Sequence, residues 1–294
     1  MNHPEILLLR HRIELADSLA KHPEWAQCLG FVPTMGALHQ GHLALAERAA
    51  RENKAVVVSI FVNPTQFNNP QDLALYPHTL DQDIKLLATL LPLGTPIWVY
   101  APNAEDLYDQ TVVARNFDFQ GVDAVFEGAD RPGHFNGVGT VVSLLWKAVP
   151  AQRVYFGEKD YQQLCVVQAL KRMENHDLEI VPCPIVRESN GLAMSSRNER
   201  LTTAQRERAA WIYQTLQEVA RQGSASAPNR LRPNELRNLV AKKAQEAPDF
   251  QIAYFDIVEE GGVNRVDHWS AGARYRALIA VEFHGVRLID NIAL

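Results

Sequence analysis

The chain has 294 residues, 47% of them hydrophobic and 21% charged, and a formal net charge of −5. That length buries a proper core in one large domain or two modest ones. The acidic balance argues against a nucleic-acid binder that relies on a broadly basic face, while leaving room for a local cationic pocket for a nucleotide. Three cysteines, Cys28, Cys165 and Cys183, are odd in number and share no CxxC spacing. They are expected to be buried hydrophobes in a reducing compartment, not a disulfide frame or a zinc site.

The opening MNHPEILLLRHR holds a four-residue apolar run, too short for a signal peptide or a membrane span, so a cytoplasmic protein is expected. A short strand is predicted over 6–9, then a helix with Ile13, Leu15, Ala16, Leu19 and Ala20 inward. Residues 28–32 read as the end of a buried strand, Pro33 breaks the ladder, and 34–38 form a loop of small residues. After Gly41 a helix starts, with Leu43, Leu45, Ala46, Ala49 and Ala50 available for its buried face. His39 and His42 lie three apart, so one turn presents both imidazoles on the same side. A strand, a glycine-bearing loop and a helix N-terminus offer backbone N–H groups and a positive dipole end to an anion. The HxxH pair alone is weak, since surface histidines at a helix start are common, and zinc needs more ligands.

The run at 54–62 has little polar alternation, as a central parallel strand buried on both faces does. It ends at NPTQF (63–67), and open α/β sheets bind ligands at that end of a strand. Turn chemistry accounts for Asn63 and Gln66 equally well. One helix is predicted over 72–91, carrying YPHTLDQD, and a strand over 96–100. RPGHFNGVG (131–139) reads as a glycine-rich loop leading into a buried helix over 140–148. A strand at 154–156 ends in GEKD (157–160). A helix follows with Tyr161, Gln162, Gln163 and an apolar face of Leu164, Val167 and Leu170, then a strand at 179–181. Strands alternating with helices predict an α/β domain with a mostly parallel sheet over 1–184. Beyond it come a polar loop with a turn at Asn190-Gly191, helices over 203–222 and 233–245, and strands over 251–259, 275–283 and 286–291. The last two are joined by His284-Gly285, giving a small α+β domain over 185–294.

Polar clusters therefore fall at strand ends or loops: TMGALHQGH, NPTQF, RPGHFNGVG, GEKD and MSSRN. Their types suit a nucleoside triphosphate. Imidazoles and backbone N–H groups receive phosphates, Lys159 supplies a point charge, and Ser195, Ser196 and Arg197 supply hydroxyls and a guanidinium fork. Asp83 or Asp160 suits magnesium, which favours oxygen ligands and phosphates. No G-x-G-x-x-G follows the first strand, which argues against a dinucleotide-binding dehydrogenase.

PTMGALHQGH (33–42), FVNPTQF (61–67), RPGHFNGV (131–138), YFGEKDYQQL (155–164) and GLAMSSRN (191–198) resemble the motif set of the pantothenate synthetase (pantoate–β-alanine ligase) family. The resemblance keeps the family's order along nearly the whole chain and is densest through residue 200. HQGH and MSSR are also similar to the HIGH and KMSKS elements of the wider nucleotidyltransferase superfamily. The resemblance implies a Rossmann-like nucleotidyltransferase domain for ATP and pantoate, and a smaller C-terminal α+β lid. It implies ATP-dependent condensation of pantoate with β-alanine through pantoyl adenylate, releasing pyrophosphate and AMP, with no covalent enzyme nucleophile.

By matching position, Met35, Gly36, Ala37, Leu38, His39, Gln40, Gly41 and His42 would line the ATP site, with both histidines on the phosphates and His42 as proton donor. Gly157, Glu158, Lys159, Asp160 and Val186 would contact the nucleotide, and Met194, Ser195, Ser196 and Arg197 would close over the phosphates. The catalytic set would be His39, His42, Lys159 and Arg197. Gln66 and Gln163 would bind pantoate through amides that both donate and accept, with Gln66 also touching β-alanine. Asp83 matches a magnesium position. The resemblance further implies a homodimer with small-molecule partners and neither nucleic acid nor membrane. One departure is Tyr76-Pro77-His78-Thr79-Leu80, where the family reads YPRTL; since the other site residues are intact, a surface or interface contact is expected for His78. Rival readings are an enzyme that adenylates a different acid and a nucleotide-binding regulator without turnover.

Overall fold

The structure is a computed structural model that describes residues 6–109 and 111–294. The first five residues, part of the opening stretch whose apolar run is too short for a signal peptide or a membrane span, lie outside it. Six strands, β1 (Leu7–Leu9), β2 (Leu29–Thr34), β3 (Ala55–Ile60), β4 (Ile97–Tyr100), β5 (Arg153–Gly157) and β6 (Glu179–Cys183), form one sheet. Every pairing is parallel and the order is β1-β4-β3-β2-β5-β6. The first five residues of β3, AVVVS, are buried, as a strand covered on both faces requires. From β2 the chain steps outward through β3 and β4 on one side and through β5 and β6 on the other. The order therefore reverses between β2 and β5, which is where an open α/β sheet leaves a crevice at its carboxyl end.

The helix Gln40–Glu52 buries Leu43, Leu45, Ala46, Ala49 and Ala50, the five positions its spacing assigned. Other segments differ from expectation. The helix Arg12–Ala20 buries only Leu15, and Ile13 is 74% exposed. The single helix expected over 72–91 is two, Pro70–Ala74 and Leu80–Ala88. Pro77 lacks the N–H a helix needs and biases its predecessor away from helical angles. RPGHFNGVG is not a loop up to residue 139, because the helix begins at His134 and runs to Ala148. Gly137 serves close approach there: a Cβ on it would lie 2.3 Å from the Thr65 carbonyl oxygen. Cys165 and Cys183 are buried, but Cys28 is only half-buried. Burial pushes the Cys183 thiol pKa up.

The chain divides into two compact units, one running to Glu158 and resuming over Val166–Pro184, the other made of Lys159–Cys165 and Ile185–Leu294. The second holds an antiparallel sheet of β7 (Phe250–Glu259), β8 (Tyr275–Phe283) and β9 (Val286–Ala293), in that order. His284 and Gly285 join β8 to β9 with φ of 49° and 72°, the left-handed pair a two-residue hairpin turn demands. Ile212, Leu216, Val219, Leu236 and Val240 pack with Ile257, Ile279 and Val281 to form this unit's core. The helix expected over 203–222 is interrupted at Ala210, whose N–H turns back tightly to the Glu207 carbonyl, giving Thr203–Ala209 and Trp211–Gly223. Among the described residues no helix is long and apolar enough to cross a membrane.

Candidate active site

At the carboxyl end of β2, Thr34 Oγ1 donates to the Ser59 carbonyl (2.7 Å) and accepts from Gly36 N (3.1 Å). The backbone then turns through left-handed angles at Gly36 (φ 80°) and Ala37 (φ 49°). That turn aims the N–H groups of Ala37 and Leu38 at the Asp83 carboxylate, 3.1 and 2.8 Å away, and Thr79 Oγ1 donates to it at 3.2 Å. Two expectations change here. Asp83, matched to a magnesium position, is 2% exposed and spends both oxygens on donors of its own unit, so it fits an anchor for the loop and not a hydrated cation's ligand. The N–H groups of Ala37 and Leu38 are spent inward, not offered to a phosphate.

The helix that follows carries two imidazoles at its start. His39 caps the helix Gln40–Glu52: its Nδ1 accepts from Gly41 N at 3.1 Å, and His42 Nδ1 accepts from His39 N at 3.3 Å. A neutral imidazole that accepts at Nδ1 carries its proton on Nε2. Both rings, with centroids 4.1 Å apart, are therefore Nε2–H donors at the positive end of a 13-residue helix. Gly157 and Glu158, both partly exposed, follow β5 on the other side of the switch point. His78 is exposed.

After β3, Asn63 is fully buried and all its hydrogen-bonding capacity is used. Its Oδ1 accepts from the Tyr108 hydroxyl (2.6 Å) and Thr65 Oγ1 (3.1 Å), while Nδ2 donates to Gln66 Oε1 and the Gly137 carbonyl, both at 3.1 Å. Gln66 is thereby oriented, with Nε2 donating to Met35 Sδ at 2.7 Å. Its backbone carbonyl takes Arg131 Nη2 (3.3 Å) and His134 Nδ1 (2.8 Å). RPGHFNGV is thus the clamp on Gln66, a role its glycine-rich appearance did not disclose.

In the second unit, the Lys159 side chain is 19% exposed with Nζ 3.6 Å from Asp160 Oδ2, and its carbonyl accepts from Asn291 Nδ2 at 3.0 Å. Gln162 is buried and Gln163 partly exposed. Met194-Ser-Ser-Arg197 extends a narrow hairpin, in which Arg187 bridges Ala193 and Met194 N donates to the Val186 carbonyl at 3.0 Å. Gly191 at its tip has φ 96° and sits against Tyr213. Ser195 Oγ accepts from Arg197 N at 3.2 Å, capping the turn Ser196–Arg200. Arg187 pairs with both oxygens of Asp290 (2.6 and 3.0 Å) and stacks 3.7 Å over the Tyr213 ring. Sequence reasoning passed over Tyr108, Arg187, Asp290 and Asn291. The one visible signal was the Asp290-Asn291 pair interrupting an apolar strand.

A left-handed turn and a histidine-capped helix N-terminus at a parallel-sheet switch point, with an oriented glutamine amide beside them, agree with the relatives this chain has. The family model described as pantoate-beta-alanine ligase matches residues 8–293. A pantothenate synthetase of Christiangramia forsetii is 43% identical over 98% of this chain and 99% of its own. One of Flavobacterium psychrophilum is 46% identical over 90% and 92%. The solved pantothenate synthetase of Thermus thermophilus superimposes with a TM-score of 0.86 at 40% identity, covering 98% of this chain and 99% of that one. A pantoate-beta-alanine ligase of Francisella tularensis, solved with beta-gamma ATP and beta-alanine, gives 0.75 at 32% identity over 98% and 97%. By sequence and by fold together, the chain belongs to the pantoate–β-alanine ligase family.

Proposed function

We infer that this enzyme condenses (R)-pantoate with β-alanine in two steps driven by a single ATP. A pantoate carboxylate oxygen attacks the α-phosphorus of ATP and displaces pyrophosphate, giving pantoyl adenylate. The β-alanine amine then attacks the acyl carbon, AMP leaves, and the amine's proton is lost as the amide of pantothenate forms. Neither step needs a covalent enzyme nucleophile, so catalysis rests on placement and on stabilising charge at phosphorus. The observation that carries this reading is the histidine pair of the capping box, His39 and His42, whose Nδ1 atoms both accept from backbone N–H groups at a helix N-terminus beside the sheet's switch point.

In this reading His39 and His42 hold the phosphates within the Met35 to His42 stretch, and His42 follows the leaving pyrophosphate as proton donor. Lys159 and Arg197 add positive charge, with Gly157, Glu158, Asp160, Val186, Met194, Ser195 and Ser196 on the nucleotide. Gln66 and Gln163 take pantoate, and the donor end of Gln66 suits its oxygens. Magnesium enters as the counter-ion of the ATP phosphates; Asp83 does not fit as its ligand, and no step is assigned to the ion. A homodimer, a cytoplasmic location, and a lid role for residues 185–294 beyond a boundary at 184 belong to the same proposal.

The test is release of pyrophosphate and AMP from ATP and magnesium with D-pantoate, with and without β-alanine. The expected result is pyrophosphate with pantoate alone, and AMP and pantothenate only once β-alanine is added. Release that ignores pantoate but follows another hydroxy acid would refute the substrate assignment, and silence with every acid would refute the chemistry.

A further inference from the structure

The last strand, β9, is interrupted by two adjacent polar residues, Asp290 (4% exposed) and Asn291 (2% exposed). Polar groups buried this deeply are costly unless every one finds a partner. The Asp290 carboxylate is taken by both terminal nitrogens of Arg187, the residue that roots the hairpin leading to Ser195, Ser196 and Arg197. Asn291 reaches elsewhere: Nδ2 donates to the Lys159 carbonyl at 3.0 Å, and Oδ1 accepts from Arg276 Nη1 at 2.6 Å. A carbonyl only accepts and a guanidinium only donates, so the amide has a single allowed orientation. Arg276, itself 8% exposed, lies 4.9 Å from the centre of the Tyr161 ring, and the Tyr161 hydroxyl accepts from Gly261 N at 2.9 Å. Residues 159 and 161 are thus gripped at two points by the C-terminal sheet, in keeping with Lys159–Cys165 clustering with the second unit.

We propose that Asn291 is a positioning residue for Lys159, holding its carbonyl so that the ammonium is presented in one place, while the adjacent Asp290 holds the hairpin that carries Arg197. Two consecutive residues of one strand then set the relative placement of the two cationic segments. A fully satisfied buried network of this kind has one low-energy arrangement and resists small displacements. The proposal rests on the reading that Lys159 meets the nucleotide phosphates, and the experiment separates the two.

The experiment is a double-mutant cycle on pyrophosphate release with Lys159→Ala, Asn291→Ala and the pair, with thermal unfolding followed in parallel. Asn291→Ala is expected to lower kcat about tenfold or more, because sub-ångström misplacement of a charge-stabilising group is costly. In the Lys159→Ala background it is expected to change kcat by less than about twofold, since its effect passes through the missing ammonium. An equal loss in both backgrounds would mean a merely structural role and overturn the proposal. Lys159→Ala within about threefold of the parent would instead refute the assignment of Lys159 itself. Should Asn291→Ala fail to fold, Asn291→Asp keeps the volume and the Arg276 bond but turns an acceptor toward the Lys159 carbonyl. It must reproduce the kcat loss, and an unchanged kcat would overturn the proposal.

Discussion

Gly137→Ala tests whether the clamp on Gln66 is as tight as the structure indicates. A Cβ at Gly137 would lie 2.3 Å from the Thr65 oxygen, 2.6 Å from its carbon and 2.7 Å from Gln66 Cα. All three are backbone atoms, so no side chain can swing aside. Moving the first contact from 2.3 Å to the 3.0 Å that real Cβ atoms tolerate requires the helix and the turn to part by 0.7 Å. The Asn63-to-Gly137 hydrogen bond, now 3.1 Å, would be stretched past useful length. Overpacking costs about 1–3 kcal/mol and a lost buried hydrogen bond about 1 kcal/mol, offset by about 1 kcal/mol of helix propensity gained over glycine. The net expectation is about 1–3 kcal/mol lost by urea unfolding. A shift of this size at Gln66 should lower kcat/KM for pantoate by roughly ten- to a hundredfold, with the KM for ATP nearly unchanged. A variant with the parent's urea midpoint and pantoate KM would refute the reasoning.

Asp83→Asn replaces one acceptor of the Ala37 and Leu38 N–H groups by a donor facing them. It should raise the KM for ATP about tenfold or more while the magnesium concentration giving half-maximal rate stays fixed; a shift confined to the magnesium dependence would return Asp83 to the metal. Glu174 offers a pH test. Burial alone would raise its carboxyl pKa, but Ser143 (2.7 Å), Arg115 (2.9 Å) and His176 (3.2 Å) together hold it below the ordinary value of 4.5. With the folded pKa below the unfolded one, this carboxylate stabilises above pH 4.5 and its contribution is lost as pH falls through the folded pKa. Glu174→Gln should therefore lower the stability at pH 7 by on the order of 1 kcal/mol, read as a lower melting temperature, and the gap should close in acid; a gap that persists unchanged there would argue against it.

What could be read in the sequence was what a residue does within a turn or two of itself. The five buried positions of Gln40–Glu52, the apolar run of β3 and the His284-Gly285 turn are local patterns, and they appear as expected. The break at Pro77 is also local, although the expectation of one helix over 72–91 takes no account of it. Glycines are ambiguous in kind: Gly137 and Gly139 suggest a glycine-rich loop, whereas the helix needs them for contact with Thr65 and Phe119. The role of Asp83 was beyond reach, since its partners lie 45 and 46 residues away and a carboxylate looks the same whether it faces N–H groups or a cation. Asn291 is more remote still, 132 residues from the carbonyl it holds.

The buried chain from Tyr108 through Asn63 to Gln66 has a direction. The Gly137 carbonyl only accepts and the Thr65 backbone N–H only donates, so Asn63 turns Nδ2 to the first and Oδ1 to the second, and Oδ1 takes the Tyr108 phenol proton. Asn63 then has only its NH2 end to turn toward Gln66, which must answer with Oε1 and point its own NH2 at Met35 Sδ. Each group passes its polarity to the next, like dominoes that fall one way only. Rotating the Gln66 amide alone would set two NH2 groups face to face. Whatever atom meets the far end of Gln66, as Met35 Sδ does, therefore encounters a donor that cannot reverse itself, and a ligand offering another donor there is turned away by a backbone carbonyl it never touches.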